Sequence, residues 1–461
     1  MFTESGFTLI VGAGPTGLTL ARELQRRGAP FRIIDREKEP FTGSRGKGLQ
    51  PRTQEILDDL GLIDAFRAHG GDYPELLIHL PGGQEMRQRM DELHDPTPSV
   101  PYPNLLMVPQ WRTAELLAEG VPVEYGTGLA SFTEDAGGVH VTLDTGETLT
   151  CRYLVGADGG RSTVRHLLGV PFEGETHETE RLFIADVRIN GLDRDNWHIW
   201  PGAGAGSFRL GLCPLPGTDD FQLTAPPTEQ SVAELVASVD PALEVTHVGW
   251  TSHFRANIRM VSRYRIGNVF LAGDAAHVHS PAGGQGLNTG IQDAWNLGWK
   301  LAKGNDQLLA TYEAERLPVA ADVLGISTRL HQRHVDGDPD AMRRDDPVLR
   351  QLSLSYRGGP LAAEHRAAPG PVRAGDRAPD APLAGGRRIF DLLRGPHPTL
   401  LAFDWTGDLP FAPAHRIADP AALAAYDVRE PTLMLIRPDD YIGCATTDPA
   451  DITAYLNRIG D

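Results

Sequence analysis

Residues 7–35 carry the pattern that most narrows what this chain can fold into. An apolar, β-branched run at residues 7–11 precedes the turn Gly12-Ala13-Gly14-Pro15-Thr16-Gly17, and residues 18–27 follow with helical spacing. Residues 31–35 then predict a second strand that ends in Asp35. In a G-x-G-x-x-G turn, the first glycine permits the tight turn, the second lets backbone approach a pyrophosphate, and the third allows close helix–strand packing. The stretch therefore predicts a βαβ unit that binds a dinucleotide at the positive end of its helix.

Asp35 lies 18 positions after the last glycine, where an acid accepts hydrogen bonds from the ribose hydroxyls of an adenosine. A carboxylate there would repel a ribose 2′-phosphate, so the position favours FAD or NAD over NADP. An acidic protein must supply local counter-charge to a bound pyrophosphate, and Arg45 is the favoured candidate. For Arg36, a solvated loop position is an equal alternative.

Length and charge limit the classes of protein that this chain can represent. A chain of 461 residues exceeds the size at which single cores stop growing, so we expect two or three domains. The net charge of −18 argues against binding to nucleic acid or to an anionic membrane surface. The three cysteines have no metal-ligand spacing, and the sequence shows neither a signal peptide nor an apolar run of membrane-spanning length. These features predict a soluble, cytoplasmic protein with small-molecule partners and no metal.

Changes in residue pattern predict how the chain is divided. Alternating segments such as residues 183–189 and 208–212 indicate antiparallel strands, in contrast to the strand–turn–helix units on either side. The predicted divisions are residues 1–171 for the first part of the dinucleotide-binding domain, 172–262 for a substrate-binding β-sheet domain, 263–342 for the second part with a long helix, 343–382 for a linker, and 383–461 for a small C-terminal α/β domain.

Two further strands end in turns that combine glycine with an acid. The first turn is Gly156-Ala157-Asp158-Gly159, and the second is Gly273-Asp274-Ala275-Ala276-His277, followed by residues 281–288 and a helix. Because open α/β sheets bind ligands at the carboxyl ends of their strands, these turns are expected to converge with the first one. Asp274 would then bond a polyol, and the helix starting near Leu287 would direct its N–H groups at a negatively polarised group. This set of groups matches FAD, whose ribityl chain and isoalloxazine ring extend beyond its dinucleotide half.

Taken together, the three motifs resemble those of the single-component FAD-dependent aromatic hydroxylases, and the likeness covers most of residues 5–335. Residues 374–380 and the strands after them resemble the thioredoxin-like extension of the polyketide and rifampicin hydroxylases in this family. Since the chain has no C-x-x-C pair, we expect that extension to be structural. The resemblance implies an α/β fold with a Rossmann-like FAD-binding domain, an inserted antiparallel-sheet substrate domain and a C-terminal thioredoxin-like domain.

The resemblance also implies roles for individual residues. It places Arg45 and Gln110 on the pyrophosphate side of FAD, Asp158 near both FAD and the reductant, and Asp274 on the ribityl chain. The expected cofactor-binding residues are Gly12, Ala13, Gly14, Pro15, Thr16, Gly17, Asp35, Arg36, Arg45, Gln110, Asp158, Gly273, Asp274, Pro281, Gly284, Gly286, Leu287 and Asn288. No catalytic residue is assigned: His277 and His279 are candidate acid–base residues, and His277 is expected instead to pack or bond near the cofactor.

The activity that the resemblance implies is the hydroxylation of a phenolic or polycyclic aromatic compound, similar to a polyketide or an antibiotic. NADPH or NADH, bound transiently, would reduce the flavin, and O2 would add to form a C4a-hydroperoxide that delivers oxygen to the ring. Two alternatives stay open: an FAD-dependent oxidoreductase that inserts no oxygen, and a non-catalytic flavoprotein that binds a ligand. A homodimer also stays open.

Overall fold

A computed structural model of the chain describes residues 6–202, 208–280, 283–335 and 343–460. The strands, in chain order, are β1 (Thr8–Val11), β2 (Phe31–Asp35), β3 (Gly48–Leu49), β4 (Glu75–Leu80), β5 (Gln84–Gln88), β6 (Leu106–Met107), β7 (Val123–Tyr125), β8 (Leu129–Asp135), β9 (Gly138–Leu143), β10 (Thr148–Cys151), β11 (Tyr153–Gly156), β12 (Glu173–Asn190), β13 (Asn196–Pro201), β14 (Phe208–Pro214), β15 (Phe221–Ala225), β16 (Glu244–Met260), β17 (Arg265–Ile266), β18 (Val269–Leu271), β19 (His277–Val278), β20 (Ala363–Glu364), β21 (Thr399–Phe403), β22 (Ala414–Ile417), β23 (Thr432–Ile436) and β24 (Ile442–Thr446). The helices are α1 (Pro15–Arg26), α2 (Pro51–Asp59), α3 (Ile63–His69), α4 (Gln110–Ala118), α5 (Thr163–Leu168), α6 (Val232–Ala237), α7 (Gly286–Lys303), α8 (Asp306–Val335), α9 (Ile389–Leu393), α10 (Pro420–Ala425) and α11 (Pro449–Ile459).

A six-stranded sheet forms the base of the molecule, in the order β17-β18-β11-β1-β2-β7. Its strands β18, β11, β1, β2 and β7 run parallel, so their carboxyl ends meet at one edge. The strands are short and mostly apolar, and they share one core with helix α1 and with the antiparallel strands β8 and β9. The predicted βαβ unit at the start of the chain is present.

Main-chain hydrogen bonds hold the turns at this edge directly against one another. The N–H of Gly12 donates to the carbonyl of Ile34 at 2.8 Å, and the N–H of Ala157 donates to the carbonyl of Val11 at 2.8 Å. The N–H of Ala272 donates to the carbonyl of Gly156 at 3.0 Å. The G-x-G-x-x-G turn and the two glycine–acid turns therefore converge, as the sequence predicts.

An eight-stranded sheet, in the order β19-β16-β12-β15-β14-β13-β4-β5, lies next to this base. Its central strands pair antiparallel, as the alternating pattern predicts. The sheet also takes in the β4–β5 hairpin, which joins it through parallel pairing of β4 with β13. The sheet thus extends beyond the predicted residues 172–262. The sequence did not indicate this, because the pattern of a hairpin does not show which sheet the hairpin joins.

The C-terminal strands form a five-stranded sheet in the order β20-β24-β23-β21-β22. Strand β22 runs parallel to β21, whereas β23 and β24 run antiparallel to their neighbours β21 and β23. One face of this sheet packs on Trp299 of α7 and Leu308 of α8, so the C-terminal unit is joined to the base by an apolar core. Strand β20 and the buried side chains of Tyr356 and Leu361 belong to the segment that the sequence indicates as a linker.

The described ranges contain neither a metal-binding cluster nor a membrane-spanning helix. There, no group of three or more His, Cys, Asp or Glu side chains is arranged to hold a metal ion. In the same ranges, no helix combines the length and the apolar character that crossing a membrane requires. The cysteines Cys151, Cys213 and Cys444 are free thiols, and all of them are buried.

Candidate cofactor cleft at the edge of the parallel sheet

The glycines of the first turn differ in what surrounds them. Gly12 has a φ of +108°, and a β-carbon added there would lie 2.4 Å from the carbonyl oxygen of Ala157. A β-carbon at Gly17 would lie 1.9 Å from the carbonyl oxygen of Gly12. At Gly14, in contrast, no protein atom lies within 4 Å of that position. Gly12 and Gly17 are therefore required by packing, whereas Gly14 borders open space.

Thr16 joins the first turn to the third. Its hydroxyl oxygen would lie 2.5 Å from a β-carbon at Gly273, whose φ is +60°, and 2.4 Å from one at Gly290. Only glycine at both positions leaves room for this side chain, which is wedged between the third turn and helix α7. Pro15 and Thr16 are half-exposed at the same edge, while Ala13 is buried.

Asp35 ends β2 and binds the backbone of the first turn. Its Oδ2 accepts a hydrogen bond from the N–H of Ala13 at 2.7 Å, and its Oδ1 accepts one from the N–H of Glu37 at 2.9 Å. The neighbouring Arg36 is exposed, and its guanidinium lies 3.6 Å from the Glu37 carboxylate. Asp35 is thus at the cleft, whereas the structure places Arg36 on the surface in an ion pair.

Asp158, in the second turn, directs its carboxylate into helix α5. Its Oδ1 accepts a hydrogen bond from the hydroxyl of Ser162 at 2.5 Å. Its Oδ2 accepts from the N–H groups of Thr163 at 2.6 Å and Val164 at 3.2 Å. The main chain of Asp158, rather than its side chain, lies against Gly12.

Asp274 and two arginines supply the charge of the cleft. The Asp274 side chain is exposed to solvent although protein surrounds it closely. Desolvation raises the pKa of Asp274 above its ordinary value, while His277 and the positive charge of Arg45 oppose the rise. Desolvation likewise lowers the pKa of Arg45, which interacts favourably with Asp274 and unfavourably with Arg161. The exposed Arg45 and Arg161 therefore bring positive charge to the region of Asp274.

Helix α7 begins beside Asp274. A β-carbon at Gly286 would lie 3.9 Å from the Asp274 Oδ1, and no side chain caps the helix at Gln285. Gln110 accepts a hydrogen bond from the N–H of Gly46 at 2.9 Å through its side-chain oxygen, and Gly46 packs on Leu287. The first turn of α7 therefore presents its N–H groups and the positive end of the helix dipole at the cleft.

Asn288 uses its side chain to hold the loop that enters β3. Its Oδ1 accepts a hydrogen bond from the N–H of Gln50 at 2.8 Å. Its Nδ2 donates to the carbonyls of Gly48 and Gly284, each at 2.9 Å. Gly284 itself is exposed, and Pro281 lies outside the described residues.

A buried network that motif spacing did not reveal supports the third turn. His277 shares a hydrogen bond with the Asp293 carboxylate at 2.6 Å and another with His279 at 2.8 Å. Asp293 also accepts from the Arg316 guanidinium at 2.7 Å and from the N–H of Gly273 at 3.0 Å. Despite burial, Arg316 and His277 hold the pKa of Asp293 below its ordinary value. The packing role expected for His277 agrees with these contacts; Asp293 carried no local signal, because it lies inside a regular helix.

These groups fit an elongated ligand with a negatively charged centre. Open space at Gly14, next to the N-terminus of α1, leaves room for a pyrophosphate. Asp35 and Asp274 offer carboxylate oxygens to hydroxyl groups, and the uncapped start of α7 offers N–H groups to a second polarised site. The residues present therefore fit the FAD that the motifs predict.

The chain is also similar to known flavoproteins. A family model described as an FAD binding domain matches residues 7–327. A flavin-dependent monooxygenase of Mycobacteroides abscessus is 46% identical over 98% of this chain and 99% of its own length. A rifampicin monooxygenase of Streptomyces venezuelae is 34% identical over 97% of each chain. The solved structure of the rebeccamycin biosynthetic enzyme RebC with reduced flavin gives a TM-score of 0.83 at 27% identity, covering 99% of this chain and 98% of that one.

Proposed function

The chain belongs to the family of FAD-binding monooxygenases whose model matches residues 7–327, and we propose that it hydroxylates a phenolic or polycyclic aromatic compound. The observation that carries the proposal is the convergence of three turns on one cleft, with Gly14 bordering open space and the uncapped helix α7 beginning beside Asp274. This arrangement supports a complete FAD rather than a dinucleotide alone, because Asp274 and α7 lie beyond the βαβ unit.

We assign the ADP part of FAD to the first turn and to Asp35. Each oxygen of the Asp35 carboxylate accepts one main-chain hydrogen bond and keeps a further lone pair for a ribose hydroxyl. Arg45 would neutralise the pyrophosphate. Asp274 would bind the ribityl hydroxyls, and Gly286 and Leu287 at the start of α7 would face the flavin ring.

When bound, FAD supplies electron transfer from NAD(P)H and the activation of O2, along the route that the resemblance implies. The protein's own part is to bind, to orient and to stabilise charge. The N-terminus of α7 would stabilise negative charge on the ring carbonyl side through its N–H groups. Asn288 would hold that helix end against the loop at residues 48–50 and so keep it in position.

NADPH or NADH is the proposed reductant. The sequence has no second G-x-G-x-x-G turn, which favours transient use of the reductant over a dedicated binding domain. The named relatives that act on rifampicin and in rebeccamycin biosynthesis favour a bulky aromatic substrate.

We also propose that the C-terminal unit is thioredoxin-like and structural. Its support is the strand order β22-β21-β23-β24, with the first pair parallel, the next two pairs antiparallel and a helix, α11, at the end. The division into an FAD-binding domain in two parts, an inserted sheet domain and this extension remains our proposal for the domain organisation.

The proposed function is tested by oxygen consumption of purified, flavin-loaded protein with NADPH or NADH. Phenols, naphthoquinones and polycyclic aromatics are added singly, and products are identified by mass spectrometry. Substrate-triggered use of reductant with a gain of one oxygen atom is the expected result. Reductant use without oxygen gain would favour an oxidoreductase. A bound flavin that NADPH or NADH does not reduce, whichever compound is added, would favour a ligand-binding protein.

A further inference from the structure

One face of the eight-stranded sheet is polar although it is buried. On β12, Ala185 and Val187 point into an apolar core beneath helix α6. Asp186, between them, points to the opposite face. Its neighbours in the flanking strands are Gln222 of β15 and Trp250 of β16. Asp186 is only 5% exposed, and Gln222 only 4%.

The loop before β3 covers this face. Gly43 packs so closely on Trp250 that an added β-carbon would lie 2.3 Å from the indole ring. The Lys47 ammonium donates a hydrogen bond to the Gln222 side-chain oxygen at 2.6 Å and lies 4.1 Å from the centre of the Trp197 ring. The amide of Gln222 in turn donates to the carbonyl of Ser44.

The same loop borders the cofactor cleft. The residues on either side of Lys47 contact the start of α7: Gly46 packs on Leu287, and the carbonyl of Gly48 accepts a hydrogen bond from Asn288. Lys47 therefore reaches from the wall of the cleft to the polar face of the sheet.

Four buried polar atoms on this face make no hydrogen bond of good geometry within the described chain, although Ser44 lies close enough to Asp186 to lower the pKa of its carboxyl. They are both carboxylate oxygens of Asp186, the hydroxyl of Ser44 and the indole N–H of Trp197. Buried polar atoms in native proteins are nearly always paired, so this cluster has hydrogen-bonding capacity that a bound molecule can use. A hydroxyl group donates one hydrogen bond and accepts up to two, so it can pair with one Asp186 oxygen and with the two donors.

We propose that Asp186 and Lys47 form the subsite that receives an ionisable hydroxyl of the aromatic substrate, an inference that rests on the proposed function. Asp186 accepts the phenolic proton, and the Lys47 ammonium stabilises the phenolate that forms. The O–H bond of the phenol breaks, its electron pair stays on the oxygen, and the proton moves to a carboxylate oxygen of Asp186. The step needs no oxidant or reductant, and it makes the ring electron-rich, as electrophilic oxygen transfer requires.

The charges around Asp186 suit a proton acceptor. Burial raises the pKa of Asp186 to about 6, Asp220 adds to the rise, and Ser44 and Lys47 limit it. Burial also raises the pKa values of Tyr73 and Cys213, which lie near one another on this side of the sheet, so both stay neutral. Lys47 supplies positive charge that lowers the pKa of the Asp186 carboxyl.

The test uses 2-hydroxyanthraquinone, a tricyclic phenol whose absorption moves to the red when it loses its proton. The dye is added to flavin-loaded protein without reductant at pH 7, and a pH indicator in weak buffer records proton release. In the wild type, we expect the dye to bind as the phenolate without releasing a proton, because the adjacent phenolate charge raises the pKa of Asp186 further, above the assay pH, and the carboxyl keeps the proton. In Asp186→Asn, we expect the dye either to stay protonated or to release about one proton for each dye ionised.

Lys47→Met provides a second variant, in which the phenolate fraction of the bound dye should fall at least tenfold. The exposed Asp219→Asn, in the turn before β15, is the matched control and should behave as the wild type. An unchanged proton count in Asp186→Asn, with the dye still bound as phenolate, would overturn the proposal. The methyl ether of the dye, which has no phenolic proton, separates a failure of the proposed function from a failure of the Asp186 assignment. If neither the dye nor its ether perturbs the wild-type flavin spectrum, the proposed function fails. If both perturb it, the proton count tests the Asp186 assignment alone.

Discussion

Gly17 lies so close to Gly12 that a β-carbon added to it would sit 1.9 Å from the Gly12 carbonyl oxygen. This contact fixes the angle at which α1 leaves β1, and it has no counterpart at Gly14, where the same atom would meet nothing within 4 Å. The φ of −76° at Gly14 is also one that alanine adopts freely. One motif thus contains both a packing glycine and a glycine that borders the proposed ligand site.

We predict that Gly17→Ala lowers the stability of the protein, whereas Gly14→Ala weakens the binding of FAD. Gly17→Ala should lower the free energy of unfolding by about 1–3 kcal/mol, because backbone must move to admit the methyl group. Gly14→Ala should leave it within about 0.5 kcal/mol, yet weaken FAD binding about tenfold, or 1.4 kcal/mol, by obstructing the pyrophosphate. Denaturant unfolding of the apoprotein and FAD titration measure the two effects. A Gly14→Ala protein with normal FAD affinity would contradict the assignment.

Asp274→Ala should lose flavin or its correct positioning. The carboxylate faces the cleft beside the start of α7, and hydrogen bonds to a charged group contribute about 1.5–3 kcal/mol, so FAD affinity should fall about 10- to 100-fold. Flavin content after purification and titration of the apoprotein measure the loss. Asp322→Ala, at an exposed position on α8, serves as the control. Full flavin content with normal turnover in Asp274→Ala would refute this role.

Asp158→Ala should affect stability more than FAD affinity. Its carboxylate accepts hydrogen bonds from Ser162, Thr163 and Val164 at the start of α5, and losing such a cap costs about 1–2 kcal/mol. Denaturant unfolding should show this loss, while the dissociation constant for FAD should change less than about threefold, or 0.6 kcal/mol. A large drop in FAD affinity with unchanged stability would instead show that the side chain contacts the cofactor.

Glu315 binds the C-terminal unit to the base in a fully buried ion network. Its carboxylate accepts hydrogen bonds from Arg437 at 2.6 and 2.9 Å and from Lys300 at 2.7 Å. Despite burial, Arg437 and Lys300 lower the pKa of Glu315 to about 2 from its ordinary value of 4.5. Because the folded pKa lies below the unfolded one, the stabilisation is complete above about pH 4.5 and is lost as the pH falls towards about 2.

Glu315→Gln should therefore destabilise the protein by about 3–5 kcal/mol at pH 7, since it leaves the buried Lys300 ammonium without its carboxylate and Arg437 with Asp439 as its remaining partner. The difference in unfolding free energy between this variant and the wild type should shrink by about 3 kcal/mol as the pH falls from 5 towards 2. Thermal unfolding across that range measures it. Glu430→Gln, at an exposed position of the same unit, should show no such change. A difference independent of pH would contradict the network's role.

The sequence by itself determined the features that depend on neighbouring residues. The first βαβ unit, the two glycine–acid turns and their convergence all followed from local spacing, because backbone freedom at glycine and the periodicity of apolar residues are short-range properties. Neighbouring parallel strands then have their carboxyl ends at the same edge of the sheet, independently of the fold of the other segments. The family resemblance followed from the same turns.

Only the tertiary structure decided which side chains meet. Lys47 contacts Gln222, which is 175 positions away, and Arg437 contacts Glu315, which is 122 positions away. Local spacing also does not show that the Asp158 carboxylate accepts hydrogen bonds from the start of helix α5. Such contacts depend on how sheets and helices pack, and each polar group takes the partner that burial leaves within reach. The cleft can thus be located from its turns, whereas the chemistry of the sheet facing it emerges only when the chain has folded.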